Sequence, residues 1–278
     1  MAEDTPTPPG GRIDLAAFLA ALELSPVGDG TFEAASLGPP GGVVFGGQLM
    51  AQAVAAATRV VPDKTVRSLH TVFARAGTTD HPVQIDVEQM HAGRAFASVT
   101  VSIRQGDRLC ARSLVLLDSP DPDLIRHAPP MPGTGPPADP PAGAWWEVRT
   151  VGGVDVSDPE AVGPAELQVW TRFPDAPEGD AVNRALLAYA TDGFLIGTAM
   201  RPHAGVGQSM AHVSIATTVL THTLSFHQPV RASEWLLLDQ RSTYAGSGRA
   251  YGRGEVFEAG GALVASFVQD SMIRHMTG

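Results

Sequence analysis

The sequence predicts an α+β fold built twice over, and three observations lead there. Two segments, 45–61 and 186–200, are rich in Ala, Leu and Met and almost free of charge, as helices buried on all sides are. Each precedes several runs of alternating apolar and polar residues broken by glycine-containing turns, which is the pattern of antiparallel strands. A stretch crowded with Pro and Gly, 119–144, separates the two sets and reads as a semi-rigid linker. The layout is one central helix wrapped by one antiparallel sheet, followed by a second copy.

The elements follow in order. Residues 1–11 read as a mobile tail, and the first half spans 12–118. Asp14 to Leu24 has helical spacing with Asp14 as N-cap. Gly28 to Gly30 is a turn, Thr31 to Ser36 a short strand, and Pro39 to Gly42 a break. Phe45 to Val61 is a slim alanine-rich helix stopped by Pro62. Gly46 and Gly47 leave the amides at its positive end open to a carbonyl or phosphate oxygen, or simply ease backbone packing. Arg67–Arg75, Val83–Met90, Ala95–Arg104 and Arg108–Asp118 read as a four-stranded meander. In the second half, 145–278, strands are expected at Trp146–Val156, Leu167–Phe173, Thr217–His227, Glu234–Tyr244, Arg249–Glu258 and Ala262–Arg274. A single helix is expected over Asn183–Met200, with Gly193 and Gly197 on one face for close contact with another backbone. Arg94-Ala95-Phe96 matches Arg249-Ala250-Tyr251, Gly106 matches Gly261 and Cys110 matches Ala265. All lie 155 residues apart, and His70-Thr71 matches His222-Thr223, so the halves read as an internal duplication.

Composition narrows the function. The chain has 278 residues, 44% hydrophobic and 17% charged, enough for a large core. Nineteen basic against twenty-nine acidic residues leave a net charge of −10, which argues against nucleic acid or an anionic membrane as main partner. Cys110 is the sole cysteine, so no internal disulfide forms, as suits a reducing cytoplasm. No charge-free apolar run reaches the ~18–20 residues of a membrane span, so no membrane insertion is expected. The opening MAEDTPTPPGGR is acidic and Pro-rich, unlike a secretory signal.

One residue stands out chemically. Asp192 is the only charge in LLAYATDGFLIGTAM, and an unpaired carboxylate there costs several kcal/mol. It therefore either meets a structural partner or lines a cleft and does chemistry.

The stretches FGGQLMAQA (45–53), RSLHTVFARAG (67–77), LLAYATDGFL (186–195), FHQP (226–229), EWLLLDQRST (234–243) and GRAYGRGEVFEAGGALVASFVQDSMIR (248–274) together resemble the acyl-CoA thioesterase II family, the double-hotdog thioesterases. The resemblance implies two hotdog folds and hydrolysis of fatty acyl-CoA to free acid and CoA by activated water, without metal or cofactor. It places the water-holding Asp on Asp192 and the Gln on Gln269. The usual hydroxyl position, three before His222, is Val219. Thr221 is then the expected hydroxyl, since residues two apart on a strand share a side, and Thr218 is its competitor. Gly46, Gly47 and Gln48 are the expected substrate-binding turn, and hotdog sheets often pair, so a homodimer or homotetramer is expected.

Two other readings use the same residues. A hotdog-type enoyl-CoA hydratase wants an Asp and a His close together in one motif, and none follows Asp192. A non-catalytic acyl-CoA binder would tolerate Val219. Gly207-Gln208-Ser209-Met210-Ala211 lacks the final glycine of a serine-hydrolase elbow, and the nine histidines form no His-Glu-x-x-His zinc motif, so no metal site is expected.

Overall fold

The structure, a computed structural model, describes residues 13–138 and 144–276. The expected tail, 1–11, and residues 139–143 of the expected linker lie outside them.

Twelve strands form a single sheet. In chain order they are β1 (Ser25–Gly28), β2 (Thr31–Ala34), β3 (Thr65–Phe73), β4 (Val83–Ala92), β5 (Phe96–Gln105), β6 (Arg108–Asp118), β7 (Glu147–Thr150), β8 (Glu166–Arg172), β9 (Ile215–Phe226), β10 (Leu236–Gly246), β11 (Arg249–Glu258) and β12 (Leu263–His275). Their order across the sheet is β1-β2-β4-β5-β6-β3-β9-β12-β11-β10-β8-β7. Of the four strands expected to form the first meander, only β4, β5 and β6 do so, because β3 crosses over to pair with β6 rather than β4. That crossover brings β3 to the middle, where it joins β9 and fuses the two halves.

Four helices lie on the inner face: α1 (Leu15–Leu22), α2 (Gly46–Val60), α3 (Asp180–Thr191) and α4 (Leu195–Met200). Asp14 caps α1, its carboxylate accepting from the Ala17 amide as expected. α2 packs along α3, and the approach is closest at Gly47, where a Cβ would stand 2.5 Å from the Tyr189 carbonyl oxygen. Gly193 and Gly197 were expected to make this contact but do not. A Cβ at Gly197 would meet the Gln208 side chain and Val156. One core holds residues of both halves, and the rings of Phe18, Phe45, Trp145, Trp146, Phe173 and Tyr189 form a continuous cluster within it.

The expected helix over 183–200 is two helices. α3 ends at Thr191, Asp192 is its C-cap (φ −79°, ψ −10°), and α4 restarts at Leu195. An apolar run gives no sign of this break, because both pieces are buried. The expected strand 146–156 is likewise only four residues long, followed by a single 3₁₀ turn containing Gly152 at φ +74°. Among the described residues of 119–144 there is no helix or strand, and Met131 packs on the outer face against Trp170, Trp235, Leu237 and Phe257.

The duplication is visible in the irregularities of the sheet. Three β-bulges recur at matching places in the two halves. Arg67 and Leu220 are the extra residues in β3 and β9, 153 apart. Met90 and Thr243 bulge β4 and β10, also 153 apart. Cys110 and Val264 bulge β6 and β12, 154 apart. The 155-residue offset read from the sequence is therefore one or two residues too long. The connection from Phe257 to its partner Leu263 is one residue longer than that from Arg104 to its partner Leu109, with Gly106 and Gly261 both at positive φ. Since a one-residue slip exchanges the two faces of a strand, this correction decides which residues correspond. The counterpart of His222 is Leu69, not His70. His70 pairs across the junction with Thr223, the residue 153 further on, and their side chains meet at 2.7 Å.

Candidate active site

Three elements converge below α2. The break after α3 turns the Asp192 carboxylate toward the first turn of α2, where a Cβ on Gly46 would stand 2.7 Å from Oδ2. On the sheet, His222 of β9 and Gln269 of β12 are direct cross-strand partners, so their side chains share a face. His222 is completely buried, its ring stacked on Phe267. Its Nδ1 stands 3.3 Å from Gln269 Oε1 and 3.6 Å from Asp192 Oδ1, and its Nε2 3.3 Å from Thr191 Oγ1. Gln269 Nε2 donates to Ser271 Oγ at 2.9 Å. Asp192 and Gln269, 77 positions apart in sequence, thus meet at one imidazole.

The electrostatics follow from burial. Asp192 is 6% exposed, and removal from water raises its pKa above the ordinary aspartate range. His222 and the Gly47 backbone amide oppose that rise by favouring the carboxylate. The 3.6 Å approach to His222 is longer than a hydrogen bond, and Oδ1 has no hydrogen-bond partner in the protein. Tyr189 nearby has its hydroxyl pKa raised, first by burial and then by the Asp192 charge.

Thr221 does not join this set. The bulge at Leu220 reverses the strand's alternation, so Val219 stands opposite buried Ser271 while Thr221 stands opposite Asp270, which pairs outward with Arg249. Val219 and Thr221, two apart in sequence, thus face opposite sides because the extra residue lies between them. Thr218, opposite Met272, is exposed. The hydroxyl beside Gln269 belongs to Ser271, two residues further along the same strand. That spacing was legible in the sequence and was missed. Gln48 does not fit the expected substrate-binding role either. It is 1% exposed, its Nε2 donates to the Ala35 carbonyl and its Oε1 accepts from the Leu37 amide, so it pins the segment before α2. Gly46 and Gly47 do border the carboxylate, and the Gly47 amide is turned to Asp192. The Asp–His pairing not found in the sequence exists in space, with the His supplied by β9.

The set is closed over. A cavity of about 590 Å³ beside Arg104 and Arg108 and another of about 340 Å³ beside Glu255 and Phe257 both lie elsewhere. In the first half the positions equivalent to His222, Gln269 and Ser271 are Leu69, Val115 and Leu117, all buried hydrocarbon. Among the described residues no group of three or more His, Cys, Asp or Glu side chains could hold a metal ion, and no helix is long and apolar enough to cross a membrane.

Known proteins agree with this architecture. A family model described as the acyl-CoA thioesterase C-terminal domain matches residues 125–273, and the corresponding N-terminal domain model matches 34–117. Acyl-coenzyme A thioesterase 8 of Homo sapiens is 28% identical, the match covering 98% of this chain and 92% of that protein. Acyl-CoA thioesterase 2 of Haemophilus influenzae is 29% identical, covering 83% and 87%. The crystal structure of an acyl-CoA thioesterase II, TesB2, from Mycobacterium marinum superposes with a TM-score of 0.78 at 29% identity, covering 94% of this chain and 98% of that one. A hot dog fold protein from Alicyclobacillus acidocaldarius, 20% identical with a TM-score of 0.73 and covering 94% and 99%, shares the fold. The C-terminal model alone spans more than half of the sequence, so this double-hotdog chain belongs to the acyl-CoA thioesterase family.

Proposed function

We propose that this chain hydrolyses fatty acyl-CoA to free acid and CoA by direct attack of water, with Asp192 as general base and Gln269 orienting the water. Asp192 takes a proton from the water as its oxygen bonds to the thioester carbon. The tetrahedral intermediate then expels the CoA thiolate as the C–S bond breaks, and the thiolate is protonated. The observation that carries this reading is the meeting of Asp192 and Gln269 at His222 within a family of acyl-CoA thioesterases. Burial strengthens the base, so activity falls as pH drops through a pKa above the ordinary aspartate range.

Access requires local opening on the Oδ2 side of the carboxylate, where Gly46 and the Phe73 ring are only partly buried. Substrate-binding by Gly46 and Gly47 belongs to this reading. Cytoplasmic location and a homodimer or homotetramer do too. The lone buried thiol of Cys110 supports the first, and exposed Val72, Leu114 and Leu116 on the outer sheet face support the second.

Incubation of the protein with acyl-CoA and a thiol reagent tests the activity. Free CoA appears for the thioesterase, while a binder or a hydratase releases none. Asp192→Asn should keep the fold and lower turnover by about two orders of magnitude or more. Near-normal turnover in that variant would remove Asp192 from the mechanism.

A further inference from the structure

We propose that His222 is a positioning residue that carries a hydrogen on Nδ1, and that it holds the Gln269 amide, with the Asp192 carboxylate beside it, in the orientation that catalysis uses. The inference rests on the thioesterase reading for its kinetic arm alone.

The hydrogen-bond inventory around the ring leads there. Gln269 Nε2 is committed to Ser271 Oγ, so the atom it turns to the imidazole is the carbonyl Oε1. Oε1 and the Asp192 carboxylate Oδ1 both lie on the Nδ1 side, and neither has a proton to give. Nδ1 must then carry the hydrogen. On the other side Nε2 faces Thr191 Oγ1 at 3.3 Å, and that hydroxyl donates its own hydrogen to the Ala188 carbonyl. Thr191 and His222 are both completely buried, so no solvent competes for either contact. Thr191 immediately precedes Asp192 at the end of α3, so one helix terminus places a group on each side of the ring.

The ring is also tightly packed. Phe267 stacks on it with an interplanar angle of 6° and a centroid separation of 5.7 Å. The first half, with Leu69 in the equivalent position, contains nothing comparable. The groups that face Asp192 from the packed elements are His222 on β9, Tyr189 on α3 and the Gly47 amide of α2. Of these, His222 is the side chain that stands beside both Asp192 and Gln269.

Nitrogen-15 NMR of histidine-labelled protein reads the tautomer without any substrate. A hydrogen on Nδ1 of His222 is expected, and Thr191→Val, which removes the oxygen facing Nε2, should shift the Nε2 resonance while Thr191→Ser restores it. In the kinetic arm, His222→Leu removes a group that favours the carboxylate, so the acid limb of kcat/KM should move to higher pH by about one unit. His222→Asn, whose amide can donate from the same place, should return the limb toward its original position. His222→Met, an unbranched and more adaptable apolar side chain, provides a second variant should His222→Leu fail to fold, and its limb should shift in the same direction. A bare Nδ1 in the original protein, or an acid limb unmoved in His222→Leu or His222→Met, would overturn the proposal. Absence of CoA release from the unsubstituted protein would instead overturn the thioesterase reading and leave the NMR result standing.

Discussion

A carboxylate removed from water affects folding as well as chemistry. Asp192 binds its proton more tightly in the folded chain than in the unfolded one, because burial raises its pKa. Across the pH range between the two values the folded state holds more protons, so stability falls as pH rises. Asp192→Asn removes that penalty and still accepts through its amide oxygen. The variant should therefore melt at a higher temperature than the parent at pH 8, with the difference fading as pH falls below the ordinary aspartate range. Thermal unfolding at several pH values checks this, and a lower melting temperature at pH 8 would contradict it. Isolated charge in an apolar run made Asp192 legible from sequence. Gln269 was reached through family resemblance, and its partners Ser271, His222 and Thr191 were not identified. Ser271 is legible from its spacing two after Gln269, but the place of His222 depends on which residues oppose each other across β9 and β12, and no sequence pattern states that register.

At the level of elements, the helix that closes on Asp192 depends on its first two residues. A methyl group on Gly47 would lie 2.5 Å from the Tyr189 carbonyl oxygen and 3.0 Å from its Cα, both backbone atoms that cannot swing aside. Gly47→Ala should cost about 1–3 kcal/mol, as overpacking does, and lower the melting temperature by several degrees. A melting temperature equal to that of the parent would mean that α2 shifts freely against α3. The start and stop of α2 were legible because Pro62 and the glycine pair mark them. The break between α3 and α4 was not, since the sequence on both sides of Asp192 is equally apolar. The bulges were hidden for a related reason. Leu220 resembles any other strand residue, yet its insertion puts Val219, three residues before His222, on the same face as His222.

Across the whole molecule, the sheet is continuous and the core shared, so the halves should not unfold separately. Arg184 of α3 illustrates the coupling. Only 7% exposed, it donates to the Val66 carbonyl in the first half while its guanidinium lies over the Phe226 ring in the second. Arg184→Ala should cost about 2–3 kcal/mol, the value of a buried charged hydrogen bond, and should shift a single denaturant transition to lower concentration without splitting it. Two separate transitions in urea, followed by circular dichroism and tryptophan fluorescence, would refute the coupling. The duplicated plan was readable from repeated dipeptides, but its offset had to be corrected strand by strand, because bulges and one longer turn displace the numbering.

Fusion into one polypeptide also frees each copy from having to match the other. Leu69, Val115 and Leu117 fill with hydrocarbon the place where the later copy keeps imidazole, carboxamide and hydroxyl. Calorimetric titration with a non-cleavable thioether analogue of the substrate should accordingly saturate at one equivalent per polypeptide, half of what a symmetric pair of identical subunits would take up.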